Sequence, residues 1–181
     1  HMGMPLQEGL RLVHNTLVGA GLRDAIRVGA SGKIVSAFDM ARALALGADW
    51  CNSARGFMFA LGCIQAQTCH TGNCPTGVTT QDPQRQMALV VPSKAERVHN
   101  FHTQTLEALQ ELMEASGLQT PHDFTPRHIM RRVSEAHTLH LSDLVDTLET
   151  GALLKADISG LPNVFSDWPL AQAKSFAIPT V

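Results

Sequence analysis

Two runs decide the fold: Ala25-Ile26-Arg27-Val28-Gly29-Ala30-Ser31-Gly32-Lys33-Ile34, then Leu46-Gly47-Ala48-Asp49-Trp50-Cys51-Asn52-Ser53-Ala54-Arg55-Gly56. In the first, residues 25–28 are brief and partly β-branched, which predicts a strand, and they run into the small residues Gly29-Ala30-Ser31-Gly32, which predict a turn. A helix is expected over residues 36–46. Ser36 can cap its exposed N–H groups, Asp39 brings negative charge to the first turn, and Gly47 supplies a left-handed exit. In the second run residues 49–53 read as another strand, ending at Ala54-Arg55-Gly56. Phe57-Met58-Phe59-Ala60-Leu61 then forms a short buried helical piece. Strand, small-residue turn and helix, repeated, is the order of βα units on a parallel sheet, so the fold class is α/β.

Working outward, Leu6, Leu10, Val13, Leu17 and Val18 recur at helical spacing, which predicts a helix over residues 6–22 closed by Gly19 and Gly21. Residues 62–83 have no hydrophobic period and are rich in Cys, Thr, Gly, Gln and Pro. They should form an irregular loop, and a loop of that length inside a domain usually has a function. A long helix is predicted over residues 93–116, closed by Gly117, and two short ones over 126–133 and 142–148, before a Pro- and Gly-bearing tail from Gly151.

The chain has 181 residues, 44% hydrophobic and 17% charged, with a net charge of −2, which places it among ordinary globular proteins able to bury one core. Its Lys and Arg residues are scattered among the acids rather than clustered, so a nucleic-acid face is not expected. No apolar run approaches the roughly 20 residues of a membrane span, and no signal segment opens the chain, so the default expectation is a cytoplasmic protein. The opening His1-Met2 reads as the remnant of an expression tag over residues 1–4. His14, His99, His102, His122, His128, His137 and His140 have no spacing that creates a site and are expected to be structural or surface residues.

Three of the four cysteines crowd together as Cys63-x5-Cys69-x4-Cys74-Pro75. Clustering of this kind favours metal over disulfides in a cytosolic protein. A trinuclear iron–sulfur cluster needs three thiolates on a loop able to wrap an inorganic core, and Gly72, Gly77 and Pro75 suit such a loop. Zinc, with His70 as fourth ligand, and packed or redox thiols are the other readings that spacing alone leaves open. Cys51 stands apart in an apolar strand and reads as a small buried hydrophobe. The second constellation is the pair of turns Ser31-Gly32-Lys33 and Ala54-Arg55-Gly56. In (βα)8 barrels the loops after the last two strands gather backbone N–H groups around a phosphate, and Lys33 and Arg55 could add charge there.

Both motifs occur in this order in one family. Val28-Gly29-Ala30-Ser31-Gly32-Lys33-Ile34, Leu46-Gly47-Ala48-Asp49, Ala60-Leu61-Gly62-Cys63, Cys69-His70 and Asn73-Cys74-Pro75-x-Gly77-Val78-x-Thr80-Gln81-Asp82-Pro83 resemble the FMN domain of glutamate synthase, above all the stand-alone, archaeal-type form. The resemblance is strong over residues 5–97. It implies that Cys63, Cys69 and Cys74 hold a 3Fe-4S cluster, and that Gly32 and Lys33 with Ala54 and Arg55 bind the FMN phosphate through backbone N–H groups, flanked by Ser31 and Gly56. Lys33 departs from the pattern, since the large bacterial subunit carries Asp-Gly-Gly at this turn.

The same likeness implies residues 5–62 to be the last βα units of a (βα)8 barrel incomplete in this chain, 63–83 the iron–sulfur loop and 84–181 a mainly helical tail. For the parent protein it implies reductive amination of 2-oxoglutarate to glutamate, with free or glutamine-derived ammonia, an electron-donor protein or subunit, hydride from FMN and electrons passed by the cluster. No catalytic residue falls in this chain, which by itself should be inactive and should either meet the rest of the barrel or self-associate through exposed strand edges. N-methylglutamate synthase, whose large subunit is similar, and a non-enzymatic zinc-binding or interaction fragment are the alternatives.

Overall fold

Gly29, Ala30 and Ser31 form a strand rather than the expected turn in the computed structural model, which describes residues 3–175. This strand, β1 (Gly29–Ser31), pairs in parallel with β2 (Trp50–Asn52) in the register Gly29–Trp50, Ala30–Cys51 and Ser31–Asn52. The strand predicted at 25–28 does not form, because Ala25 and Ile26 both donate their N–H groups to the Leu22 carbonyl, 3.1 Å away in each case. Val28 is held by Asp49 instead: its N–H donates to the Asp49 carboxylate at 2.6 Å and its carbonyl accepts from the Asp49 N–H at 2.7 Å. Gly29 is required at its position, since a Cβ there would lie 2.6 Å from the Trp50 indole.

The helices follow from caps and apolar spacing. α1 (Leu6–Gly19) and α2 (Ala37–Ala45) bury Leu10, Ala41 and Leu44 around Ala30 of β1, with Leu46 just beyond α2 only 1% exposed. Ser36 caps α2 as the sequence predicts. Asp39 donates its N–H to the Ser36 hydroxyl at 3.2 Å and accepts from the Ser36 N–H at 3.1 Å, a reciprocal pair whose hydroxyl half alone is worth about 1 kcal/mol. α3 (Arg55–Leu61) ends on Gly62 at φ 107°. After the short α4 (Pro83–Gln86) comes α5 (Val91–Ala115), which begins ahead of the predicted start because Pro92 sits in the first turn, where its missing N–H costs nothing. Leu109 is the one fully buried residue of α5 and joins the main core, while Phe101 packs edge-on against Phe57 of α3 at 5.2 Å.

The region 84–181 contains α4 and α5, but the two short helices expected beyond them do not form. In place of a helix over 126–133, a 3-10 turn, Pro126–His128, leads into β3 (Met130–Arg132), which pairs antiparallel with β4 (Thr138–His140). The predicted helix over 142–148 is reduced to the 3-10 turn Leu141–Asp143. The cause is long-range: Leu141 donates its N–H to the Ile129 carbonyl at 2.8 Å, and both side chains are buried in the core, which closes a hairpin that local propensity does not announce. Arg11 and Asn15 of α1 tie down the segment that follows, both donating to the Asp146 carbonyl, at 2.8 and 2.9 Å. A second small core of Leu148, Ala152, Leu153 and Phe165 packs on α1, where Gly19 leaves room for Leu153. Among the described residues the two sheets have two strands each, and no barrel closes. No helix among them is long and apolar enough to cross a membrane.

His14 sits on α1 against Gly47, whose φ of 109° and crowding by the imidazole leave no space for a side chain. Burial, then the charges of Arg11 and Arg23, push its pKa down to about 4 from 6.5, against the Gly47 carbonyl and Asp49. The folded state therefore holds His14 neutral, and below pH 6.5 the unfolded chain binds the extra proton. Stability from this group is complete above the unfolded pKa and is lost as pH falls from 6.5 towards 4. After allowance for solvent screening the loss amounts to about 1–2 kcal/mol. Urea unfolding at pH 7.5 and 5 should show a drop that His14→Gln reduces by that amount; an unchanged drop in the variant would assign it to other groups.

Candidate cofactor site

The cysteine loop is built from the end of α3. Cys63 follows Gly62 and donates its N–H to the Met58 carbonyl at 2.9 Å, Cys69 opens the 3-10 turn Cys69–Thr71, and Cys74 is buried at 8% exposure. The three sulfur-bearing residues, scattered over the loop in sequence, line one small concavity with Met58, Thr76 and Thr79. His70 does not line it. Among the described residues no group of three His, Cys, Asp or Glu side chains could hold a metal ion. Three thiols around a common space are the donor type that a cluster with one thiolate per iron needs, but their positions in this structure do not assemble a metal site. That space is about 20 Å³, the volume of roughly one water, which is too small for such a core as the loop stands.

Three features bear on that fit. Cys74 is pushed down to about 6, first by the Thr76 hydroxyl and then by the N–H groups of Thr79 and Thr76, which favours the thiolate that iron needs. The Thr79 hydroxyl is buried without a partner of hydrogen-bond geometry among the described residues, and its effect on Cys74 is the smallest of those acting on that thiol. Gln65 and Gln67, between the first two cysteines, both hold the left-handed conformation at φ 57°, a strain that ordinary glutamines adopt only when their surroundings impose it.

The residues that close the loop lie in Gly77 and the Thr80-Gln81-Asp82-Pro83 tail. Thr80 is buried and its hydroxyl donates to the Gly72 carbonyl at 2.5 Å while accepting from the Asp82 N–H at 3.1 Å. Asp82 caps α4, accepting from the N–H groups of Gln84 and Arg85, with Pro83 in the first turn. Gly77 adopts φ 76° and lies so close to the Arg85 carbonyl that no Cβ fits. The turn at Gly77 is the one its sequence predicts, while the hydroxyl-to-carbonyl clasp of Thr80 spans eight residues and has no local signature.

Of the predicted phosphate-site residues, Ser31 is the last residue of β1, and Gly32 and Lys33 turn out of it with φ 143° and 55°. Ala54 and Arg55 leave the parallel neighbour β2 at the same end. The two turns are joined, since the Ser53 hydroxyl between them donates to the Ile34 carbonyl at 2.7 Å. Among the described residues the N–H groups of Lys33 and Ala54 donate to no protein acceptor, and neither Lys33 nor Arg55 forms an ion pair. Gly56 has a different reason for its size: a Cβ there would meet the Phe101 ring at 2.6 Å, so it serves α3–α5 packing. Gly32 and Lys33 line a cavity of about 340 Å³ with Leu6, Asp39 and Arg42. α3 links the turns to the cysteines: its seven residues, about 10 Å of helix, start at the Ala54 turn and end beside Cys63.

Cys51 lies on β2 away from the loop, half-buried, and burial pushes its thiol up to about 11. Such a thiol stays protonated and is a poor ligand.

Residues 1–119 match the family model described as a conserved region in glutamate synthase. The chain is 40% identical over 144 residues to the glutamate synthase large subunit-like protein YerD of Bacillus subtilis, a match covering 80% of this chain and 27% of that protein. To the glutamate synthase (NADPH) large chain of the same organism it is 31% identical over 140 residues, 77% of this chain and 9% of the other. To the archaeal glutamate synthase (NADPH) of Methanocaldococcus jannaschii it is 35% identical over 120 residues, 66% of this chain and 24% of the other, so the archaeal form is not singled out among these relatives. The chain thus spans about a quarter, or less, of the length of the proteins it matches. The cysteine loop and both turns fall inside the matched residues, and the chain belongs to the glutamate synthase family.

Proposed function

We propose that this chain carries the iron–sulfur loop and part of the flavin phosphate site of an FMN-dependent oxidoreductase that reductively aminates 2-oxoglutarate to glutamate. The observation that carries the reading is the convergence of Cys63, Cys69 and Cys74 on one concavity in a chain of this family. When bound, the flavin supplies hydride to the substrate and a 3Fe-4S cluster passes electrons to the flavin. The chain's own part is to hold and to insulate. Cys63, Cys69 and Cys74 would hold the cluster, Thr80 and Gly77 keep the loop folded, and the N–H groups of Gly32, Lys33, Ala54 and Arg55 would meet the phosphate, with Lys33 and Arg55 adding charge at the rim. Ser31 and Gly56 flank that site, Ser31 as strand end and Gly56 as the gap that lets α3 pack.

The flavin ring, 2-oxoglutarate, ammonia and the electron donor are met by parts of the enzyme outside this chain. β1 and β2 each leave one edge unpaired, with Trp50 exposed beside them, and parallel strands are stable when paired and covered on both faces. Those edges fit the remaining strands of a barrel, or, in the isolated chain, a second copy. Size-exclusion chromatography with light scattering should find the isolated chain self-associated; a monodisperse monomer with tight, stoichiometric FMN would contradict the incomplete-barrel reading.

The direct test of the cofactor assignment is the visible spectrum of anaerobically reconstituted protein. A broad absorption bleached by reductant is expected, and Cys51→Ala should retain it in full. Loss of iron in that variant would overturn the ligand set.

A further inference from the structure

Between α1 and residues 141–146 lies a cavity of about 250 Å³, somewhat below the roughly 300–1,000 Å³ of drug-sized sites and suited to a small metabolite. Two of its walls are buried polar side chains of α1. Arg11 is 8% exposed, and its one hydrogen bond uses Nε, towards the Asp146 carbonyl. Among the described residues neither of its Nη groups has a hydrogen-bond acceptor; the charge of Asp146 acts on it, but no carboxylate lies within ion-pair distance. Asn15, one turn further on, is 3% exposed; its Nδ2 also serves the Asp146 carbonyl, and its Oδ1 is buried with no partner.

A buried guanidinium with unused donors calls for a planar anion that can take two parallel hydrogen bonds, which is a carboxylate. A buried amide oxygen with no donor calls for an N–H or O–H in the same space, because leaving it unmet costs about 1–3 kcal/mol. Glu8, Arg131 and Asp146 also line the cavity, so its rim carries both signs of charge. The remaining walls include Leu12, Leu46, Leu141 and Phe165, which are apolar.

We propose that this cavity binds a free α-amino acid with an aliphatic side chain, its carboxylate on Arg11, its ammonium on Asn15 Oδ1 and its side chain against the leucines. One ligand with opposite charges on adjacent atoms satisfies both sets of orphaned groups, which neither a simple anion nor an amine can do. The site is separate from the cysteine loop and adjoins the Gly32–Lys33 cavity through Glu8, Leu46 and Arg131, so it stands independently of the flavin reading. An occupant here bridges α1 to residues 141–146, the same two elements that the Asp146 carbonyl joins.

Isothermal titration calorimetry on the chain tests this with L-leucine, 4-methylpentanoate, isoamylamine, L-glutamate and inorganic phosphate. L-leucine should bind saturably, and loss of either charged end should weaken binding by about tenfold or more. Asn15→Leu should abolish the titration while circular dichroism stays unchanged, since Arg11 still serves the Asp146 carbonyl. Leu144→Trp, at a half-exposed position on the cavity wall, should block binding without touching either polar group. No saturable binding of L-leucine, equal binding of phosphate and 4-methylpentanoate, or undiminished binding in both variants would each overturn the proposal.

Discussion

Replacing Cys69 with serine is expected to abolish the visible absorption of the reconstituted chain and to leave less than about one iron bound. A trinuclear cluster has one protein sulfur per iron, so a chain that supplies three has none in reserve, and a serine hydroxyl is a far harder and more weakly acidic donor than a thiol. Cys69 is the informative position because it is exposed and lies in a 3-10 turn, so serine there removes no buried contact and should not unfold the chain. Cys74→Ser would be harder to read, since that side chain is buried and bonded to Thr76. Circular dichroism should be unchanged for Cys69→Ser. A variant that keeps the full spectrum would mean that the concavity gathers the three cysteines for packing alone.

The second large effect is expected from Gly77→Ala. At φ 76° a Cβ costs about 1 kcal/mol from backbone sterics, and here it would also collide with the backbone carbonyl of Arg85, which cannot swing aside as a side chain can. Overpacking against backbone adds about 1–3 kcal/mol, for a total of about 2–4 kcal/mol. If that falls on the loop alone, its closed population drops by roughly 30- to 700-fold, and iron should pass to an external chelator correspondingly faster. The same substitution at Gly151, also at positive φ but with open space around it, should cost only the backbone part. Equal chelation rates for the wild type and Gly77→Ala would show that the contact with Arg85 does not hold the loop.

What the sequence made legible was whatever is encoded within a few residues. The Ser36–Asp39 capping box, the helix end at Gly47, the pairing of two βα units and the clustering of the cysteines all depend on short spacings. The β1 boundary was misread because the partner that sets it, Asp49, is 21 residues from Val28, and because Gly29 serves the Trp50 indole rather than a turn. The short helices expected over 126–133 and 142–148 fail for a similar reason. A helical assignment at 126–133 competes with a bond between Ile129 and Leu141, and burial of both side chains decides it. In the site, the cysteines were named, but the Thr80 clasp on Gly72, the strain at Gln65 and Gln67 and the unpartnered Thr79 hydroxyl were not. Threonine and glutamine there have no special spacing; their significance is geometric. Gly56 fell among the predicted phosphate residues because a glycine after a strand fits that role, while its neighbour Phe101 lies 45 residues away on α5.

The central claim is that three thiolates of this chain hold a trinuclear cluster. It is tested most directly by elemental analysis of the chain reconstituted under anaerobic conditions, with iron, acid-labile sulfide and zinc measured on the same sample. The account predicts about three irons and about four sulfides per chain, with zinc absent. One zinc per chain with no iron, reached after iron and sulfide have been supplied in excess, would contradict it.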